Sequence, residues 1–190
     1  MGRLKMMWTV GLVLLVSALA AVPASAAPDR SLSIDAGQRT DWQGAAAQGV
    51  TNYYYWNPGG AGNVGPLAHH VCNKEKTTYC EQILLELRNP LTPAEQAAGV
   101  NYKEEPVTVW LDSFDTAGGP VNDFDLLVYQ SDATGTRGPL IKSDGDSFNS
   151  TKELVTFDVA TDASSPSQFV LIDVVYYQVV NGGYKGHVTF

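Results

Sequence analysis

The stretch Asn122-Asp-Phe-Asp-Leu-Leu-Val-Tyr puts two carboxylates, Asp123 and Asp125, at the head of an apolar run. Just upstream, Asp112 and Asp115 close another such run, which begins at Val107. Were the two runs neighbouring strands, the four carboxylates and Asn122 would converge on one rim. Calcium takes roughly six to eight oxygen ligands in a flexible shell, so it is the metal that rim would suit. The competing expectation is that these are strand-end and turn residues, because Asx side chains bond their own backbone and stop strands. On that account Asp123 shapes the start of its strand. Asp125 then points away from the core, toward solvent.

Other residue types invite chemistry and carry it less far. Gly145-Asp146-Ser147 resembles the nucleophile block of the GDSL hydrolases. That block needs its Ser near the start of an α/β domain and a late Asp-x-x-His, and the chain offers neither. Asp144, Asp146 and Asn149 imitate part of a calcium loop without its spacing or closing Glu. His69 and His70 lie in a polar loop and His187 in the last strand, and no Ser-His-Asp order links them. No catalytic residue is assigned, and the chain is expected not to be an enzyme. Tyr53, Tyr54, Tyr55 and Trp56 are consecutive aromatics, and on a strand they must face both sides of a sheet. Tyr53, Tyr55 and Trp56 are therefore a candidate aromatic binding face, unless the glycine-rich loop at 57–66 covers them. Cys72 and Cys80 are the only cysteines. An even count in an exported chain favours a disulfide. Closing so short a loop stabilises by about 2.5 kcal/mol from chain entropy. Zinc held by His69, His70 and Cys72 is the alternative, but structural zinc sites carry ligand pairs at both ends and Cys80 stands alone.

These residues must be positioned by strands. Ser31–Asp35, Thr51–Trp56, Gln82–Leu87, Val107–Phe114, Phe124–Gln130, Glu153–Val159, Gln168–Val180 and Tyr184–Phe190 are short apolar or β-branched runs bounded by Gly, Pro, Asn, Asp or Ser. That spacing predicts an all-β, jelly-roll-like antiparallel β-sandwich. Val107, Val109 and Leu111 share one face, and Thr108, Trp110 and Asp112 the other. Phe124, Leu126 and Val128 likewise oppose Asp125, Leu127 and Tyr129. One short inserted helix is predicted: Thr92 is its N-cap, Pro93 its first residue, Glu95 closes a capping box and Gly99 ends it.

The first residues stand apart. Arg3 and Lys5 precede an apolar run from Trp8, Pro23 breaks it, and Ala24-Ser25-Ala26 suits a signal peptidase. The run is shorter than the roughly 20 residues of a spanning helix. Residues 1–26 are read as a signal peptide cut after Ala26, and residues 27–190 as one secreted domain with no membrane span. The formal charge is −8, and removing Arg3 and Lys5 makes the mature chain more negative. Nucleic acid is thereby disfavoured as a partner. Phe190 at the terminus prompts an outer-membrane barrel, but many runs are shorter than the roughly 9 to 11 residues a spanning strand needs.

The pieces also carry a resemblance. Asp123-Phe-Asp-Leu, followed by Tyr129-Gln-Ser-Asp-Ala-Thr-Gly, is similar to the bacterial pre-peptidase C-terminal domain. So, in order, are Thr40-Asp-Trp-Gln-Gly, Tyr79-Cys-Glu-Gln-Ile-Leu-Leu-Glu-Leu, which resembles actinobacterial members, and the closing Gly182-Gly-Tyr-Lys-Gly-His-Val-Thr-Phe. The resemblance spans about residues 31–190, here as a domain standing alone with the 92–99 helix as an insertion. It implies a non-catalytic β-sandwich, often attached to secreted peptidases, that in some relatives binds calcium or an extracellular polymer. The expected function is a secreted binding or accessory module whose partner is an extracellular protein or polysaccharide. No cofactor is required, and calcium is the candidate. A small secreted hydrolase or a calcium-stabilised structural protein is the alternative.

Overall fold

Lys152–Asp162 shows how the chain makes its sheets. Glu153, Val155, Phe157, Val159 and Thr161 are buried, and the residues between them are exposed. Burial with a period of two requires a strand with one wet face. The computed structural model describes residues 27–45, 50–51, 72, 80–115, 122–145, 152–179 and 182–190. In chain order these form β1 (Arg30–Asp35), β2 (Arg39–Ala45), β3 (Val50–Thr51), β4 (Cys80–Arg88), α1 (Pro93–Ala97), β5 (Tyr102–Asp115), β6 (Asp123–Ser131), β7 (Arg137–Asp144), β8 (Lys152–Asp162), β9 (Ser167–Val179) and β10 (Gly182–Thr189).

They build the expected β-sandwich. The larger sheet runs β1-β4-β9-β6-β7, with β3 added to the far end of β9, and the smaller runs β2-β10-β5-β8. The two last strands, β9 and β10, thus lie inside the two sheets. One pairing departs from the antiparallel expectation: β1 runs parallel to β4, Arg30 opposite Ile83 and Asp35 opposite Arg88. The cause is local. β1 turns through Gly37, at φ 81°, straight into β2 of the opposite sheet. Its own sheet neighbour therefore arrives later in the chain and in the same direction.

The core lies between the sheets. Ile83, Leu85 and Leu87 of β4, Val107, Val109 and Leu111 of β5, Phe124, Leu126 and Val128 of β6, and Val170, Ile172 and Val174 of β9 are among its buried members. The faces read for β5 and β6 are therefore correct. The helix is also where it was expected. Thr92 Oγ1 accepts from Glu95 N at 3.2 Å, Glu95 Oε2 accepts from Thr92 N at 2.7 Å, and Gly99 follows at φ 79°. Among the described residues no helix is long and apolar enough to cross a membrane.

The two ends of the sandwich differ. At one, compact turns join β1 to β2, β6 to β7 and β8 to β9, and Phe190 bonds Gln38. At the other end, the connections β2–β3, β3–β4, β5–β6, β7–β8 and β9–β10 contain all the internal residues outside the description. Tyr53, Tyr55 and Trp56 lie outside the described residues, as do His69, His70, Asp146, Ser147, Asn149 and the signal peptide with Ala26.

Candidate functional site

The outer face of the smaller sheet gathers most of the chemistry. Register sets it out in rows. Asp41, His187, Trp110 and Leu154 lie side by side across β2, β10, β5 and β8. Gln43, Lys185, Asp112 and Lys152 flank them on one side, and Arg39, Thr189, Thr108 and Thr156 on the other. His187 Nδ1 lies 2.7 Å from Asp41 Oδ1, and its Nε2 lies 3.3 Å from Asp112 Oδ2. Its ring stacks on Trp110 at a centroid distance of 4.8 Å. Arg39 Nε donates to Asp41 Oδ1 at 2.8 Å, and its guanidinium lies 5.0 Å from the Trp110 centroid. Arg39 above all, then His187, holds the Asp41 carboxyl below its ordinary range. Thr108 and Thr156 share a hydroxyl bond of 3.1 Å, and Leu154 is exposed. The face thus carries an aromatic ring, one exposed leucine and fixed hydrogen-bonding groups.

Asp112 is not brought together with Asp123 and Asp125. Asp112 stands on the outer face of the smaller sheet, against His187. β6, with Asp123 and Asp125, belongs to the larger sheet. Asp125 faces outward there, opposite to Phe124 and Leu126, so Asp112 and Asp125 lie on opposite outsides of the sandwich. Asp115 ends β5 in the smaller sheet, and its side chain lies outside the description. Among the described residues no three His, Cys, Asp or Glu side chains gather to hold a metal ion. The reason is topological: β5 and β6 are joined across the sandwich rather than as a hairpin.

Asp125 also corrects the solvent expectation. It does point away from the core, but it is 2% exposed, and Asp123 is buried too. β6 lies between β9 and β7, not at an edge, and both its faces are covered. Gly145 sits so close that a β-carbon there would lie 2.5 Å from Asp125 Oδ1.

What covers that outer face is a second apolar cluster of Cys72, Leu127, Tyr129, Leu171 and Val175. The Cys72–Cys80 disulfide is formed, with Cα atoms 5.6 Å apart. It ties Cys72 to the first residue of β4. Beside it lies an ion pair between Arg137 of β7 and Asp173 of β9, the latter's side chain wholly buried. Gln82 Nε2 donates to Asp173 at 2.9 Å, and Arg137 Nη2 donates to the Cys72 carbonyl at 2.8 Å. Arg137 also lies over the Tyr129 ring at 4.8 Å. Burial, with Asp173 nearby, pushes the Tyr129 hydroxyl up to about 12. The arrangement is a clasp: the central strand supplies a charge, and the arginine bridges it to the disulfide-bearing segment.

A third polar group lies inside. Tyr184 of β10 donates to Glu81 Oε2 at 2.5 Å, Trp42 Nε1 donates to the Tyr184 hydroxyl at 3.3 Å, and Arg30 pairs with Glu81 from the sheet edge. Burial first, and Glu81 second, raises Tyr184 far above its ordinary range. Gly44 leaves room for this contact, since a β-carbon there would lie 2.2 Å from the Tyr184 ring. Every polar group in this chain of contacts has a partner, which makes it a structural strut between the sheets.

No protein-family model matches the chain, and no curated protein matches it.

Sequence reasoning missed the Asp41–His187–Asp112 group because its members come from three strands far apart in the chain. It missed Asp173 despite a usable signal. A single Asp inside the apolar run Phe169–Tyr176 must face either water or a partner, and a run without alternation marks a strand covered on both faces.

Proposed function

We propose that the chain is a secreted, non-catalytic β-sandwich module that binds an extracellular protein or polysaccharide at or outside the cell surface. The observation that carries this reading is the outer face of the smaller sheet. Its only described histidine has Nδ1 against Asp41 and the Arg39 guanidinium, and Nε2 against Asp112. A histidine base in a nucleophile relay gives one nitrogen to a carboxylate and the other to the nucleophile. The contacts of His187 support a role in holding the surface in shape. Around it, Trp110 and Leu154 supply apolar contact, while Thr108, Thr156 and Lys152 supply hydrogen bonds. The pattern of residues 1–26 and the disulfide support an extracellular setting.

The test is retention of the labelled mature protein on intact cells and on isolated cell-surface polysaccharide. Trp110→Ala and Leu154→Asp should each lose retention while melting as the wild type does. Equal retention of both variants overturns the assignment of this face. Turnover of ester, peptide or glycoside substrates that disappears in His187→Ala overturns the non-catalytic reading.

A further inference from the structure

Every sheet in an open sandwich ends in two strands with unpaired backbone, and natural proteins blunt such edges with short strands, prolines or bulges. Three of the four edges here are blunted. β1 and β2 are short. β7 carries Pro139 and shifts register twice against β6. β8 is different: it pairs with β5 from Lys152 to Asp162 without a register shift and contains no proline. No described strand pairs with its other side.

The direction of its free groups follows from one bond. Leu154 N donates to Asp144 Oδ2 of β7, so the Leu154 amide points away from β5. Alternation then turns the amides of Thr156 and Asp158 the same way. Among the described residues, Gln168 occupies the Ala160 carbonyl and Ser165 accepts from Asp162 N. Thr156 and Asp158 remain the open middle of the edge.

That middle borders a cleft of about 530 Å³ between the sheets. Its floor is core: Ile141, Phe157, Val159 and Val170. The rest of its lining is polar apart from Phe169, and Asp158 is its one charged member. The Asp144–Leu154 bond links β7 to β8 along the same edge.

We propose that the free edge of β8 and this cleft form a docking site for an extended peptide of a partner protein that alternates apolar and basic residues. A strand added to β8 would send alternate side chains inward, onto Phe157 and Val159, and the others onto the outer face. The outward position beside Asp158 selects a basic residue. On the β5 side Asp158 faces Pro106, which brings no charge, and the chain as a whole is acidic. A cross-strand cation would sit directly opposite. A second copy of this chain fits less well, because its own Phe157 and Val159 are committed to its core and cannot enter the cleft.

The site goes beyond the reading above; Leu154 and Thr156 belong to both surfaces, so Trp110→Ala, which leaves the edge of β8 untouched, tells the two apart by losing cell-surface retention while keeping peptide binding. The experiment is fluorescence polarisation of a labelled Lys-Val-Lys-Val-Lys-Val peptide against the mature protein. Controls are a block isomer, three lysines followed by three valines, and a Glu-Val alternating peptide. The alternating basic peptide should bind, and the block isomer should bind at least about tenfold more weakly. Thr156→Pro, controlled by Thr156→Val for loss of the hydroxyl bonded to Thr108, removes an amide that faces away from β5, so backbone pairing within the sheet survives. It should weaken binding by about tenfold or more, as losing one backbone bond and blocking the edge require. Asp158→Lys, fully on the surface, should reverse the preference toward the Glu-Val peptide. Equal binding of the two lysine isomers, or unchanged binding by Thr156→Pro, overturns the proposal. So does a concentration-dependent dimer that Thr156→Pro abolishes, for the edge would then belong to a second copy.

Discussion

Removing Arg137 should harm the protein more than removing its partner Asp173. The two form one ion pair, but their surroundings differ: Asp173 is wholly buried, while the Arg137 side chain is one quarter exposed. In Arg137→Met a buried carboxylate is left with Gln82 as its described donor. Breaking a buried pair this way costs about 3 to 5 kcal/mol. Losing the contact with Tyr129 adds about 0.5 to 1 kcal/mol. For a domain of this size that lowers Tm by about 7 to 24 °C. In Asp173→Asn the stranded arginine can turn toward water, and the amide keeps a hydrogen-bonding atom for Gln82. The cost should be about 1 to 2 kcal/mol. The double variant Arg137→Met with Asp173→Leu should recover most of the loss, because apolar replacement of a buried pair is often neutral. Urea unfolding of the oxidised protein, followed by tryptophan fluorescence, gives all four corners of the cycle. Asp173→Asn costing more than Arg137→Met, or a double variant as unstable as the two losses added, would refute the argument.

Further predictions rest on other contacts. A β-carbon at Gly186 would lie 2.0 Å from the Trp42 ring, so Gly186→Ala should destabilise by about 1 to 3 kcal/mol and change the near-UV circular dichroism; an unchanged melt would contradict this. Lys103, then Thr92, lowers the Glu95 carboxyl from 4.5 to about 2. A lowered carboxylate stabilises above its unfolded value, and that stability is lost as pH falls through about 2. Carboxyl NMR should show that low midpoint and its rise in Lys103→Met, whereas a wild-type midpoint near 4.5 would dismiss the contact. Melts in millimolar calcium and in EDTA should coincide, because Asp112 and Asp125 lie on opposite outsides of the sandwich. A rise of several degrees in calcium that Asp123→Asn and Asp125→Asn abolish would show that β6 alone builds a site.

The sequence made some of this legible and hid the rest for definable reasons. β8 announced itself because one face is wet, so period-two burial is written in its residues. The helix was readable to the residue, because a capping box is a local bond between Thr92 and Glu95. The β5 and β6 faces were also readable, but not the sheets they join. Alternation fixes which residues share a face and is silent on which neighbour a strand chooses. The connection from Asp115 to Asp123 did hold a clue, being longer than the roughly two to five residues of a hairpin loop. Asp125 was misjudged because a strand covered on both faces buries its outward side chains as well. The His187 group was beyond reach, since its contacts with Asp41 and Asp112 depend on strand order in the finished sheet.

That strand order also sets a schedule. β9 separates β4 from β6, and β10 separates β2 from β5, so each sheet receives a central member from the last part of the chain. A chain emerging from its N-terminus can close neither sheet until nearly all of it is present. The earlier strands wait with their apolar faces uncovered, and long-range pairing makes the final assembly slow. Loss of β10 would therefore part β2 from β5 and leave the smaller sheet in two pieces.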